Sequence, residues 1–310
     1  MPTSTVRFKL FGRFQAIYQG QPIEDLDTGK ASELLVYLLL NHERPHSRES
    51  LSEILWEAKS TSQAKKYLRQ TIWQLQNVLP APSKEQEEPI INVEQEWIYL
   101  NPKADFHLDI TDLEEAKTLA LDRRGEDLSA EELSTVEAAV LQCDGDLLEG
   151  WYQEWCLFER ERLQNIYLQL LDKLIAAYDA QGVYEKGIQY AHRSLRSEPG
   201  RERTYYALMR LFYLIGDRSS ALRQYERCVV SLADQLNVEP AQRTQELYSQ
   251  IANDQLIDLR APASPPTTEE RRIISSELSG TIHMVHQLDA VLNDLKRHLQ
   301  QDLELSSRQS

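Results

Sequence analysis

SQAKKYLRQTIWQLQNVL, residues 62–79, is the stretch on which the reading of this chain turns. At 100° per residue Ala64, Leu68, Ile72, Leu75 and Leu79 fall on one narrow stripe, which predicts a helix that buries those five side chains. Gln63, Lys66, Arg69, Gln70, Trp73, Gln74 and Asn77 occupy the other side. They are mostly long, hydrogen-bonding side chains with no acid among them, and such a face suits a DNA groove. Trp73 lies about 140° from the Leu68 stripe, so it is expected either to touch DNA sugar or to pack against the rest of the molecule.

Working toward the N-terminus, Ser47-Arg48-Glu49-Ser50 reads as the start of a short second helix through Leu51, Ile54, Leu55 and Trp56. Before it, Thr28 is placed to cap a first helix carrying Leu34, Leu35, Leu38 and Leu39, which stops near Asn41. The chain opens with VRFKLFGRFQAIY, whose alternation predicts two short strands around Gly12, followed by a turn at Gln19–Pro22. Toward the C-terminus, the Pro- and Glu-rich break PAPSKEQEEP leads into IINVEQEWIYLN, a hairpin about Gln95-Glu96. Strands, three helices and a hairpin, in that order, are a winged helix.

From Asp105 to Asp258 the pattern predicts continuous helix, broken at Gly125, Gly145, Gly150, Gly182, Pro199-Gly200, Gly216 and Pro240. A shift of 34 residues superposes Leu174 on Leu208, Ile175 on Met209, Tyr178 on Phe212, Gly182 on Gly216 and Gly187 on Ala221. That period, with small residues where paired helices cross, is the tetratricopeptide signature. After Arg260, APASPPTTEE has linker composition. Beyond it Leu278, Val285, Leu288, Leu292, Leu295 and Leu299 suggest a coiled-coil seam and hence a homodimer. The predicted organisation is a winged helix over 1–104, an all-α tetratricopeptide-like body over 105–258, a linker over 259–271 and an amphipathic helix over 272–305. The fold class is thus α+β followed by all-α.

Charge sets the limits on partners. The chain holds 34 Lys and Arg against 49 Asp and Glu, a formal charge of -15. Residues 1–80 carry ten basic and eight acidic side chains, so the remainder stands at -17 and only the N-terminal quarter is suited to approach phosphate. Cys143, Cys156 and Cys228 form no CxxC pair, which fits a reduced cytoplasm and gives no zinc site. No apolar run reaches membrane-spanning length, and no signal-peptide pattern opens the chain.

The span from Val6 to Asp258 resembles the SARP-type bacterial transcriptional activators, which join an OmpR-like winged helix to a bacterial transcriptional activator domain built on tetratricopeptide repeats. The matching pieces are VRFKLFGRFQA, KASELLVYLLL, RESLSEILWE and AKKYLRQTIWQLQNVL in the head, with GDLLEGWYQEWCLFERERL, EPGRERTYYALMRLFYLIGDRSSALRQYERC and LADQLNVEP in the body. The resemblance implies a third helix in the major groove of double-stranded DNA, a wing on the adjacent minor groove or backbone, and a body for dimerisation or contact with RNA polymerase or another regulatory protein. Carried over by position, the DNA-binding residues are Lys65, Lys66, Arg69, Gln70, Trp73 and Gln74, with Arg48 from the second helix. This sequence has Leu75-Gln76-Asn77 where the family commonly has an Arg-rich end to the helix, so fewer phosphates are neutralised and the salt dependence of binding is shallower. No GxxxxGK[ST] occurs, so no fused NTPase is expected.

Other constellations read as structural. His283 and His286 with Asp289 form a polar helix edge rather than a metal half-site. Glu131-Glu132 and Glu159-Glu161 lack an accompanying nucleophile or Gly-rich loop, so no enzyme and no cofactor are expected. Trp151, Tyr152, Trp155 and Phe158 are expected to form a seam packing the body's first helices. The alternative to a DNA-binding regulator is a tetratricopeptide adaptor whose winged helix has lost DNA binding.

Overall fold

Alternating burial along Val6–Lys9 (β1), with Val6 and Phe8 inside and Arg7 and Lys9 outside, makes the first strand one face of a small sheet. β1 pairs antiparallel with Gln15–Tyr18 (β2), Phe8 opposite Ala16. β2 turns through Gln19 and Gly20, both at positive φ, to the two-residue strand Gln21–Pro22 (β3). Three helices follow: Lys30–Leu40 (α1), Arg48–Leu55 (α2) and Thr61–Val78 (α3). A second sheet forms from His46–Ser47 (β4), Ile91–Val93 (β5) and Trp97–Leu100 (β6), in the order β4-β6-β5. The computed structural model describes residues 5–26, 29–80 and 88–254. The linker, the C-terminal helix with its seam and its histidines, the 81–87 part of the Pro- and Glu-rich break, and Thr28 as a cap lie outside them. The residue that caps α1 is Gly29, with no side-chain hydrogen bond.

α1 buries every residue from Leu34 to Leu40, because α2, α3, β6 of the second sheet and the following body all press on it. Ser47 caps α2 by accepting the Ser50 N–H at 3.0 Å. Its partner three residues on is Ser50 itself, so a serine pair replaces the reciprocal capping box.

Helix does not begin at Asp105 as the pattern implies. Phe106–Leu108 (β7) is a strand that pairs parallel to β1, with Phe8 opposite Leu108, giving a four-stranded sheet in the order β3-β2-β1-β7. Three residues are too short to show a period, and a parallel partner about a hundred positions away leaves no local trace. The body then runs through Asp109–Ala120 (α4), Ala130–Gln142 (α5), Glu154–Ala180 (α6), Tyr184–Ser197 (α7), Glu202–Leu214 (α8), Arg218–Leu236 (α9) and Gln242–Ala252 (α10). The acidic pairs are structural: Ser129 and Glu132 form a complete capping box at α5, and Glu159 pairs with Arg162 at 2.7 Å.

The 34-residue register holds in space. Leu174, Ile175, Leu208 and Met209 are all buried, and Gly182 and Gly216 each take positive φ just past a helix end, where a side chain is strained. At Gly187 an added Cβ would sit 3.1 Å from Leu211 Cδ1, so α7 crosses the next hairpin closely. Ala221 is its fully buried counterpart on α9. Replacing Ala221 with Leu is expected to cost about 1–3 kcal/mol by overpacking, read as a lowered midpoint of thermal unfolding. Unchanged stability would show that the repeats are misaligned.

Head and body are tied together, and the described chain up to Asn253 is one compact unit. Leu148 N–H donates to Leu10 C=O and Gly12 N–H to Asp146 C=O, each at 2.8 Å, around a bridge between Phe11 and Leu147. The aromatic cluster is divided by this junction rather than forming a seam within the body. Trp151 stacks edge-on against Phe14 at 6.4 Å and Trp155 against Tyr37 at 5.4 Å, both partners belonging to the head. Tyr152 and Phe158 are instead 80% and 67% exposed.

Candidate nucleic-acid interface

α3 is amphipathic as its sequence dictates. Ala64, Leu68, Ile72, Leu75 and Leu79 are buried, and Gln63, Lys66, Arg69, Gln70, Trp73, Gln74 and Asn77 are exposed. Trp73 is 67% exposed, so it does not pack against the body and its indole face is open to a partner. Lys66, Gln70 and Gln74 make no hydrogen bond or ion pair with any described residue, so their donors are available. Among the described residues Arg69 donates only to the Lys65 carbonyl at 3.4 Å, a long bond that leaves most of the guanidinium free. Cations occupy the first half of the helix, and the aromatic ring and amides the second.

Two of the residues expected on DNA already have partners. Lys65 Nζ lies 3.0 Å from Glu49 Oε1 on α2, an exposed pair worth about 0–1 kcal/mol that a phosphate can outcompete. Arg48 Nε donates to the Glu94 carbonyl at 3.2 Å, which fastens the start of α2 to the wing. Arg48 therefore positions the hairpin.

The wing is where residue spacing was least informative. Its tip is Glu94-Gln95-Glu96, all exposed, and Tyr99 O–H donates to Glu94 Oε1 at 2.7 Å. Two carboxylates here oppose the phosphate contact that a wing makes in the resembling family. Beside them Trp97 is 47% exposed, at an outward position of β6 that its alternation with buried Ile98 and Leu100 already marked. Lys59, one residue before the α3 cap Ser60, adds a further exposed cation. Among the described residues no group of three His, Cys, Asp or Glu is placed to hold a metal, and no helix is long and apolar enough to cross a membrane.

A winged helix whose third helix shows a polar, acid-free face, fused to a tetratricopeptide-like body, is the architecture of a bacterial transcriptional regulator. Residues 108–252 match the bacterial transcriptional activator domain, and this match, with the relatives below, supports the SARP-type transcriptional activator family. It is 27% identical over 301 residues to the regulatory protein AfsR of Streptomyces coelicolor, covering 94% of this chain and 29% of AfsR. It thus spans less than a third of that relative's length. The transcriptional regulatory protein MoaR1 of Mycobacterium bovis is 24% identical over 249 residues, 79% of each chain. Among solved structures, Mycobacterium tuberculosis EmbR in complex with a low-affinity phosphopeptide shares the fold, with a TM-score of 0.60 at 21% identity over 92% of this chain and 72% of that one. These matches are to transcriptional regulators, not to enzymes.

Proposed function

We propose that the protein is a DNA-binding transcriptional regulator, an activator, which places α3 in the major groove of double-stranded DNA. The head (1–104) reads DNA, the body (105–258) contacts RNA polymerase or another regulatory protein, and residues 272–305 support homodimerisation, in a cytoplasmic protein. The observation that carries this reading is the exposed face of α3, where Lys66, Arg69, Gln70, Trp73 and Gln74 lie together with no acid among them. Arg and Lys supply phosphate or guanine contacts, and Gln can pair bidentately with adenine. Footprinting the full chain on genomic DNA tests it. Protected sites with a common sequence support the reading, and uniform weak binding that vanishes at moderate salt overturns it.

Two observations favour an adaptor instead: the wing tip is acidic, and the body presents exposed Tyr152 and Phe158. The wing decides between them. If α3 docks on DNA, Glu94 and Glu96 face the phosphates flanking the groove, and replacing both with Lys should strengthen binding. The log–log salt dependence should steepen by about 0.9 for each phosphate gained. A double variant with unchanged affinity and slope would show that the wing does not approach DNA.

A further inference from the structure

Where the head meets the body, the 143–147 loop, α6 and α7 enclose a cleft of about 520 Å³, within the usual range of small-molecule sites. Its walls carry three guanidinium groups and two carboxylates, from Arg160, Arg193, Arg196, Asp144 and Asp146. Among the described residues none of the three arginines reaches a carboxylate within ion-pair distance. Elsewhere in the same body Arg123, Arg162, Arg201, Arg203 and Arg210 all do. Opposite charges share one cleft without pairing.

Two of the arginines are held in place by neutral acceptors. Arg160 donates through Nε to Leu147 C=O at 2.8 Å and through Nη2 to the carbonyls of Leu148 and Trp151, each at 2.9 Å. Arg193 donates through Nε to the Tyr167 hydroxyl at 2.6 Å and through Nη2 to Cys143 C=O at 2.8 Å. Neither Nη1 has an acceptor among the described residues. Arg196, one turn along α7 and exposed, has no hydrogen bond or ion pair among the described residues. Arg193 and Arg196 both line the cleft from α7.

We propose that this cleft binds a small hydroxyl-bearing phosphomonoester, a sugar phosphate or a nucleotide, with Arg193 and Arg196 on the phosphate and Asp144 and Asp146 accepting from ligand hydroxyls. Guanidinium forks match phosphate oxygens, and Arg193, already held by Tyr167 and Cys143, loses little entropy on binding. Unpaired carboxylates in a phosphate site are accounted for by sugar hydroxyls, which need acceptors. Phe11 and Leu147 supply an apolar surface for the remainder of the ligand. These two residues are also the bridge that joins head to body, so occupancy bears directly on the junction.

Calorimetric titration of the full chain with AMP, ribose 5-phosphate, inorganic phosphate and ribose tests the site. Saturable one-to-one binding of AMP or of ribose 5-phosphate, tighter than inorganic phosphate and absent with ribose, is the expected result, and the better of the two identifies the ligand class. Arg196→Gln should weaken that binding about tenfold or more and leave the unliganded thermal midpoint unchanged, because Arg196 holds nothing in the fold. The proposal is overturned if neither phosphorylated probe binds saturably, if inorganic phosphate binds as tightly as both, or if Arg196→Gln binds as the parent does.

Discussion

Replacing Lys66 and Arg69 together with alanine is expected to lower affinity for a footprinted DNA site about a hundredfold or more while leaving the head folded. Each side chain supplies one charge-assisted contact, worth about 1.5–3 kcal/mol when lost, and about 1.4 kcal/mol is a factor of ten. The slope of log affinity against log salt should fall by about 1.8, the share of two phosphates. Stability is not at stake. Both side chains are exposed, neither is in an ion pair with a described residue, and alanine is the better helix former. Lys65→Ala should do less, since Glu49 already holds that ammonium 3.0 Å away. Fluorescence anisotropy with the double variant at two salt concentrations is the measurement. Parental affinity would remove α3 from the groove and leave the adaptor reading in possession.

How much of this was legible in the sequence depends on what periodicity can report. A 3.6-residue rhythm says that a face is buried, and all five residues of the α3 stripe are; the same rhythm and a 34-residue shift located the helix pairs of the body. Periodicity does not say against what a face is buried. Trp151 and Trp155 were recognisable as packed aromatics, but their partners Phe14 and Tyr37 come from more than a hundred positions away. Gly125 reads as a helix break, yet its function is a close crossing: a Cβ there would stand 2.8 Å from Ala176 Cβ. The site follows the same rule. The exposed face of α3 followed from the stripe, whereas the ties of Lys65 to Glu49 and of Arg48 to the wing needed three-dimensional neighbours.

The junction between head and body rests on a residue that no local pattern singles out. Asp109 opens α4, is 5% exposed, and its Oδ2 accepts the N–H groups of Leu10 at 2.8 Å and Phe11 at 3.0 Å. Those two donors leave β1 for the bridge to Leu147, so one carboxylate anchors the end of the first sheet to the first helix of the body. Burial holds its carboxyl above the usual range even though the backbone N–H groups of Phe11, Leu10 and Ile110, and the nearby His107, pull it down. A buried N–H stripped of its acceptor costs about 1–3 kcal/mol, so Asp109→Ala is expected to lose about 2–4 kcal/mol in denaturant unfolding at neutral pH. Asp109→Asn retains an acceptor oxygen and should stay near the parent there. Because the folded value is raised, proton binding favours the folded state: the parent should gain on the Asn variant as pH falls from neutral and lose that gain as pH rises through the folded value. A parent and Asn variant with parallel stability curves across that range, or an Ala variant as stable as both, would show that Asp109 does not hold the junction.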